Sequence, residues 1–383
     1  MKKNKLLVAI GVAVLIGIVS LLAYKATNKS APDDVIRIGA ILPLTGSVSV
    51  MGQEIFNSIK IAEQKLEGRF GNEQPFELIV EDGRYTSKDT VLAFARLLQM
   101  KRLKGVLAFG NTPVSQFIPR LNEEHMPLVA FGTGASDVTK LSDLVFRAWI
   151  PVALQAKVMA KYAHDILKIN RIAVFAINDQ SGDDAISIFK SQYGKDGVVY
   201  PIERFDISDV DVKAQIMKLV DSKPDAIFIT GFGPAYISSL NYLKECRFSG
   251  KILTEISLVA SDQRSHVKDL SNIIFLDTEF GVKINTPERI AFVNEYSRAY
   301  GREPTIVGAF AYEALMLYNE AYKNAKSSDK LIEGFRRISK YHSIVGEISY
   351  DSQGEIFFPL IVVGFDSNGQ EVVLDEEIGQ NIK

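Results

Sequence analysis

Two short apolar runs, GVLAFG (105–110) and PLVAFG (127–132), each break off into a turn of small and hydroxyl-bearing residues. Apolar runs this short, bounded by glycine, have the pattern of buried strands. The first turn is Asn111-Thr112-Pro113, whose Thr suits a helix cap and whose Pro suits the first helical position. A helix is predicted over Val114–Glu124, with Phe117, Ile118 and Leu121 on one face. The second run ends in Thr133-Gly134-Ala135-Ser136. One such turn is ordinary in any α/β protein. Two in succession place two ligand-competent turns side by side, because open α/β sheets bind beyond the carboxyl ends of their strands. Backbone N–H groups there, backed by a helix N-terminus, favour an anion such as a carboxylate.

The rest of the chain repeats the alternation. Strands are predicted over Val35–Leu42 and Pro75–Asp82, and helices over Gly52–Leu66 and Lys88–Lys101, with Ser87 as the cap of the latter. A further extended segment lies near Phe146-Arg147-Ala148-Trp149, and a second series begins at Pro151. It runs through a helix at Val152–Leu167, a strand at Arg171–Ile177, a helix at Asp183–Tyr193 and the run VVYPIERF, followed by a helix at Val210–Val220. The strand Ala226–Gly231, the helix Pro234–Cys246, KILTE (251–255) and IIFLD (273–277) complete it. Strand starts at Phe76, Gly105 and Pro127 recur near Val198, Asp225 and Lys251, offset by 120 to 124 residues. Architecture repeats where sequence does not, which indicates two similar parallel-sheet lobes. Helices at Pro287–Tyr300 and Thr305–Tyr322 and a short one near Leu331–Ile338 return the chain to the first lobe, and the β-rich end goes to the second. The expected fold is α/β: two doubly wound parallel-sheet lobes joined by a multi-crossover hinge. Residues 35–150 with 281–350 form one lobe, and 151–280 with 351–383 the other.

At the N-terminus, Lys2, Lys3 and Lys5 precede Leu6–Ala23, a charge-free run of 18 residues. As a helix it reaches ~27 Å, close to the thickness of a bilayer core. The lysines keep its start in the cytoplasm, and no clean A-x-A cleavage site follows. Residues 1–30 therefore read as a signal anchor or signal peptide, the uncleaved anchor being favoured, with 27–34 as a polar linker; the body is exported and attached to the membrane. Residues 1–29 hold five lysines and no acid, so the remainder carries −7 against −2 for the whole chain. An acidic body without a basic run argues against a nucleic-acid surface. The single cysteine, Cys246, and four scattered histidines offer neither a disulfide nor metal-ligand spacing, so no metal or other cofactor is expected.

The order of motifs resembles the type I periplasmic-binding-protein superfamily, and within it the branched-chain-amino-acid (Leu/Ile/Val) substrate-binding proteins of ABC transporters. The resemblance spans roughly 35–374. It is carried by IRIGAILPLTG, ELIVEDGRYTS, the N-T-P turn with LNEE and GTGAS, DQSGDDAISIFK, DAIFITGFGPAY, PTIVGAFAYEALMLY and VGEISYDSQGEI. It implies that Asn111-Thr112 and Thr133-Gly134 hold an α-carboxylate, that Glu255 pairs with the α-ammonium, and that Phe232 is a second-lobe aromatic wall. Where the family commonly has aromatics, this chain has Met51 and Ser181, so two walls of a leucine-type pocket are expected to be missing. The implied partners are a small solute and an ABC permease.

Three functions follow for comparison. The favoured one is a solute-binding protein, not an enzyme. An anchored sensory ectodomain with the same fold is the alternative. An enzyme finds no support: no G-x-S-x-G elbow, P-loop or metal cluster occurs, Gly231-Phe232-Gly233 is followed by Pro234, and pairs such as Glu81-Asp82 and Asp183-Asp184 read as solvated turn acids.

Overall fold

The computed structural model describes residues 35–69, 76–194, 198–261, 263–282 and 285–379. Five strands form the first sheet: β1 (Ile36–Leu42), β2 (Phe76–Asp82), β3 (Leu103–Phe109), β4 (Leu128–Phe131) and β5 (Val145–Ala148). All its pairings are parallel, in the order β2-β1-β3-β4-β5. The second sheet contains β6 (Arg171–Ile177), β7 (Val198–Phe205), β8 (Ala226–Thr230), β9 (Lys251–Thr254) and β10 (Ile273–Asp277). These run parallel in the order β7-β6-β8-β9-β10. The two orders are the same, so the repeated strand spacing reflects a repeated topology. In each sheet the chain steps one way from the first strand and then the other, creating a switch point at β1/β3 and again at β6/β8, where a crevice opens for ligands.

Three short strands, β11 (Tyr341–Ser343), β12 (Gly346–Tyr350) and β13 (Ile356–Phe357), form a separate antiparallel sheet. The last two, β14 (Ile361–Phe365) and β15 (Glu371–Asp375), extend the second sheet antiparallel from β10. The chain thus leaves the first sheet after Ala148, leaves the second after Asp277 and rejoins it at Ile361.

Helix Ser49–Arg69 packs against helix Ile306–Ala325, which is buried along most of its length. Gly308 makes the close approach possible: a Cβ there would stand 2.7 Å from Ser58 Oγ and 3.0 Å from Glu54 Oε1. Local chemistry moved several expected boundaries. The helix expected over Val114–Glu124 is two short helices, Asn111–Ser115 and Ile118–Glu123; Pro119, with no N–H to give, fits the first turn of the second. Gly110, not Thr112, occupies the cap position of the first. Thr86, not Ser87, caps helix Ser87–Leu97 by accepting from Asp89 N–H. The expected helix 152–167 is α-helical only over Val152–Lys161 and ends in a π turn at Tyr162–Ile166. The apolar run 6–23 lies outside the described residues, among which no helix is long and apolar enough to cross a membrane.

Candidate functional site

The carboxyl ends of β3 and β4 face those of β8 and β9 across a cleft. A cavity of about 490 Å³, including its mouth, lies between them. Of the expected site residues, Met51, Asn111, Gly134, Ser181, Phe232 and Glu255 line it. Thr112 sits in the first turn of helix Asn111–Ser115. Thr133 is buried, its Oγ1 lacks a hydrogen-bond partner, and its carbonyl accepts from Arg147.

Glu255 follows the last residue of β9 and is 3% exposed. Its Oε1 accepts from Gly231 N–H at 2.7 Å and from the Ser257 hydroxyl at 3.2 Å. Its Oε2 is buried with no partner. Burial pushes its pKa up to about 7; the Gly231, Thr230 and Ser257 groups pull the other way, and Asp179 adds to the rise. Thr230 lies beside the carboxyl, although its Oγ1 makes no well-formed hydrogen bond. Among the described residues, no lysine, arginine or histidine lines the cavity. The site therefore holds one buried acid whose second oxygen has no hydrogen-bond partner and meets no cationic side chain among the cavity's lining residues, and such a group is costly unless something cationic meets it.

The walls are apolar and aromatic. Phe109 ends β3, Trp149 follows β5, and Val152, Ile256, Ala260 and Val307 fill between them. The cavity lined by Met51 and Ser181 also carries two aromatics, Phe109 and Trp149. Neither was singled out as a site residue from sequence. The signal for Phe109 was its place as the last side chain of an apolar run that enters a ligand-type turn; Trp149, the sole tryptophan, ends a short extended segment in the same way.

The turns are braced by groups that sequence reading passed over. Arg147 on β5 is fully buried: its Nε donates to Glu355 at 2.6 Å, one terminal nitrogen to the Thr133 carbonyl, and the other to the Ala135 carbonyl at 2.8 Å. It thereby holds the G-T-G-A turn in place. Asn111 Oδ1 accepts from Ala135 N–H at 3.0 Å, tying the two first-sheet turns together. Asp82 is not a solvated turn acid: it accepts from the backbone N–H groups of Leu44, Thr45 and Arg84, and from the Thr45 hydroxyl at 2.5 Å. These bonds hold its carboxyl below the usual range against the upward push of partial burial.

The cleft is closed. Asn111 Nδ2 donates to Asp179 at 3.0 Å; Ser136 N–H and hydroxyl donate to Asp184 at 2.7 and 2.9 Å; Ser261 N–H donates to Thr305 Oγ1 at 2.9 Å. Asp184, also expected to be a solvated acid, is a clasp between the two halves. Asp179 caps helix Gln180–Tyr193 and accepts from Ser181 N–H and from its hydroxyl, so Ser181 is oriented by its own cap. Asp183, as expected, is exposed, and pairs with Arg204. No group of three His, Cys, Asp or Glu side chains arranged to hold a metal ion occurs among the described residues.

Comparison with known proteins agrees with this geometry. "Leu/Ile/Val-binding protein homolog 6" of Brucella suis biovar 1 is 22% identical over 353 residues, covering 88% of this chain and 89% of the relative. A leucine-binding protein LivK from Thermotoga maritima superposes with a TM-score of 0.80 at 23% identity, covering 89% of this chain and 98% of that one. LivJ from Streptococcus pneumoniae, in complex with isoleucine, gives 0.79 at 18% identity over 89% and 99% of the two chains. A solute-binding protein from R. palustris, in complex with benzoate, gives 0.79 at 15% identity over 91% and 100%. The sequence model of the periplasmic binding proteins matches residues 35–370. The chain belongs to the periplasmic binding protein family, in its type I form resembling the branched-chain-amino-acid-binding proteins.

Proposed function

We propose that this protein is an extracytoplasmic solute-binding protein that captures a small amine-bearing solute, in the first place an α-amino acid with an apolar side chain, and presents it to an ABC permease. The single observation that carries the reading is Glu255: a buried carboxylate with an unpartnered oxygen, facing an apolar cavity without a cationic side chain. An ammonium supplies the missing partner. Phe109, Trp149 and Phe232 suit an apolar side chain. Asn111 and Gly134 lie where the ligand's carboxylate would meet backbone N–H groups. The same acid disfavours a simple aromatic carboxylate of the kind named for the R. palustris structure, since two like charges would share one enclosed space.

Closure is assigned to two lobes, 35–150 with 281–350 and 151–280 with 351–383, turning about crossings near Pro151, Phe280 and Tyr350. The charge-free run 6–23 supports export and attachment to the membrane. It also keeps open a sensory ectodomain in place of a transporter component.

A thermal-shift screen of residues 30–383 against amino acids, amines and aromatic acids tests the ligand class. At one hundred times Kd a specific ligand stabilises by roughly 2.7 kcal/mol. Stabilisation by acids lacking an amine, and by no amine, would overturn the reading.

A further inference from the structure

We propose that Tyr85 is the residue that sets the length of ligand this protein accepts, an inference that takes the interlobe cavity as the binding site. A second cavity, about 560 Å³ with its mouth, lies next to the first. Its walls include Tyr85, Ile177, Asp179, Asp206 and Ile207. The partition between the two includes the Tyr85 ring, whose centroid is 5.9 Å from that of Phe109 and 5.9 Å from that of Phe232, and the Asn111–Asp179 hydrogen bond. Phe109, Phe232 and Asn111 face the inner cavity, whereas Tyr85 and Asp179 face the outer one.

The backbone holds the ring in this place. Arg84 and Tyr85 both adopt left-handed conformations, φ 52° and 57°, which cost side-chain-bearing residues free energy. Asp82 fixes the turn by accepting from Arg84 N–H at 2.9 Å. Gly110 opposite, at φ 99°, leaves the room: a Cβ there would stand 2.5 Å from the Tyr85 ring. A strained turn, a glycine seat and two aromatic neighbours thus place one side chain between two otherwise adjoining spaces. With the ring present, a ligand held at Glu255 ends at Tyr85. Without it, the ligand's tail continues between Ile177 and Ile207.

The test is calorimetric binding of two unbranched series, α-amino acids from alanine to α-aminodecanoate and the matching alkanoates, to the parent, Tyr85→Ala and Tyr85→Phe. Tyr85→Gly, which accepts the left-handed backbone, replaces Tyr85→Ala should that variant not fold. In the parent, affinity should rise about fourfold per buried methylene and then fall beyond a limiting length. Tyr85→Ala should move that limit outward by two carbons or more, and Tyr85→Phe should restore it. An unmoved limit in Tyr85→Ala, with the amino acids binding, would overturn the partition and leave the amine reading standing. A limit that moves for alkanoates alone would uphold the partition and overturn the amine reading. Absence of binding by both series at millimolar concentration would overturn both.

Discussion

Replacing Glu255 with Gln separates the cost of a buried charge from its use. The amide oxygen can still accept from Gly231 N–H, so the local bond at 2.7 Å survives while the charge is lost. For the unliganded protein the change should stabilise. A carboxyl near 7 in the folded chain and near 4.5 in the unfolded one favours the neutral form. Below the lower value both states are protonated and nothing is lost. As pH rises from there, the unfolded chain ionises first and stability falls, until above the upper value the deficit reaches about 3 kcal/mol. That is an upper limit, because parting of the two halves lets water reach the carboxylate. Glu255→Gln should therefore equal the parent at about pH 3.5, below the unfolded value, and exceed it at pH 8 in urea unfolding. Ligand binding should move the other way: an ammonium left without its carboxylate in a closed cleft costs about 3–5 kcal/mol, roughly a hundredfold to several-thousandfold in affinity. Calorimetry with the amino acid found by screening measures this. Unchanged affinity in Glu255→Gln, or loss of stability at pH 8, would refute the assignment of Glu255 as an ammonium partner.

Arg147→Met should destabilise the fold by about 3–5 kcal/mol, because Glu355 and the Thr133 and Ala135 carbonyls lose their buried donor; chemical denaturation reads it. Asp184→Ala removes the acceptor of two bonds from Ser136. At about 1 kcal/mol for each bond, it should weaken ligand affinity by roughly tenfold or more and enlarge the radius of gyration seen by small-angle scattering, with thermal stability of the unliganded protein little changed. Glu313→Ala strips the partner from Ile344 N–H and the Tyr341 hydroxyl. The melting temperature should fall, by an amount set by about 1–3 kcal/mol for each buried group left unsatisfied, while ligand affinity is kept.

The alternation of strand and helix, the equal spacing of its two series and the glycine-bearing turns were all legible in the chain, because short-range rules govern them: side-chain period, turn chemistry and breaker residues. Asn111 and Gly134 could be named for the same reason, each following a recognisable strand, whereas Glu255 was named through the family resemblance. Local sequence could not decide which side chains share a space. Phe109 and Trp149 join Met51 and Ser181 in lining one cavity, and that grouping becomes visible only when β3 and β5 face the second sheet. Thr133 sits in the expected turn yet turns its carbonyl to Arg147, a bond made across 14 residues. Asp184 is a surface acid along the helix and a clasp once Ser136 is brought against it. The environment of Glu255 is likewise tertiary. Being an acid at a strand end is a property of sequence; having one oxygen unpartnered in a closed cleft depends on every residue that closes over it.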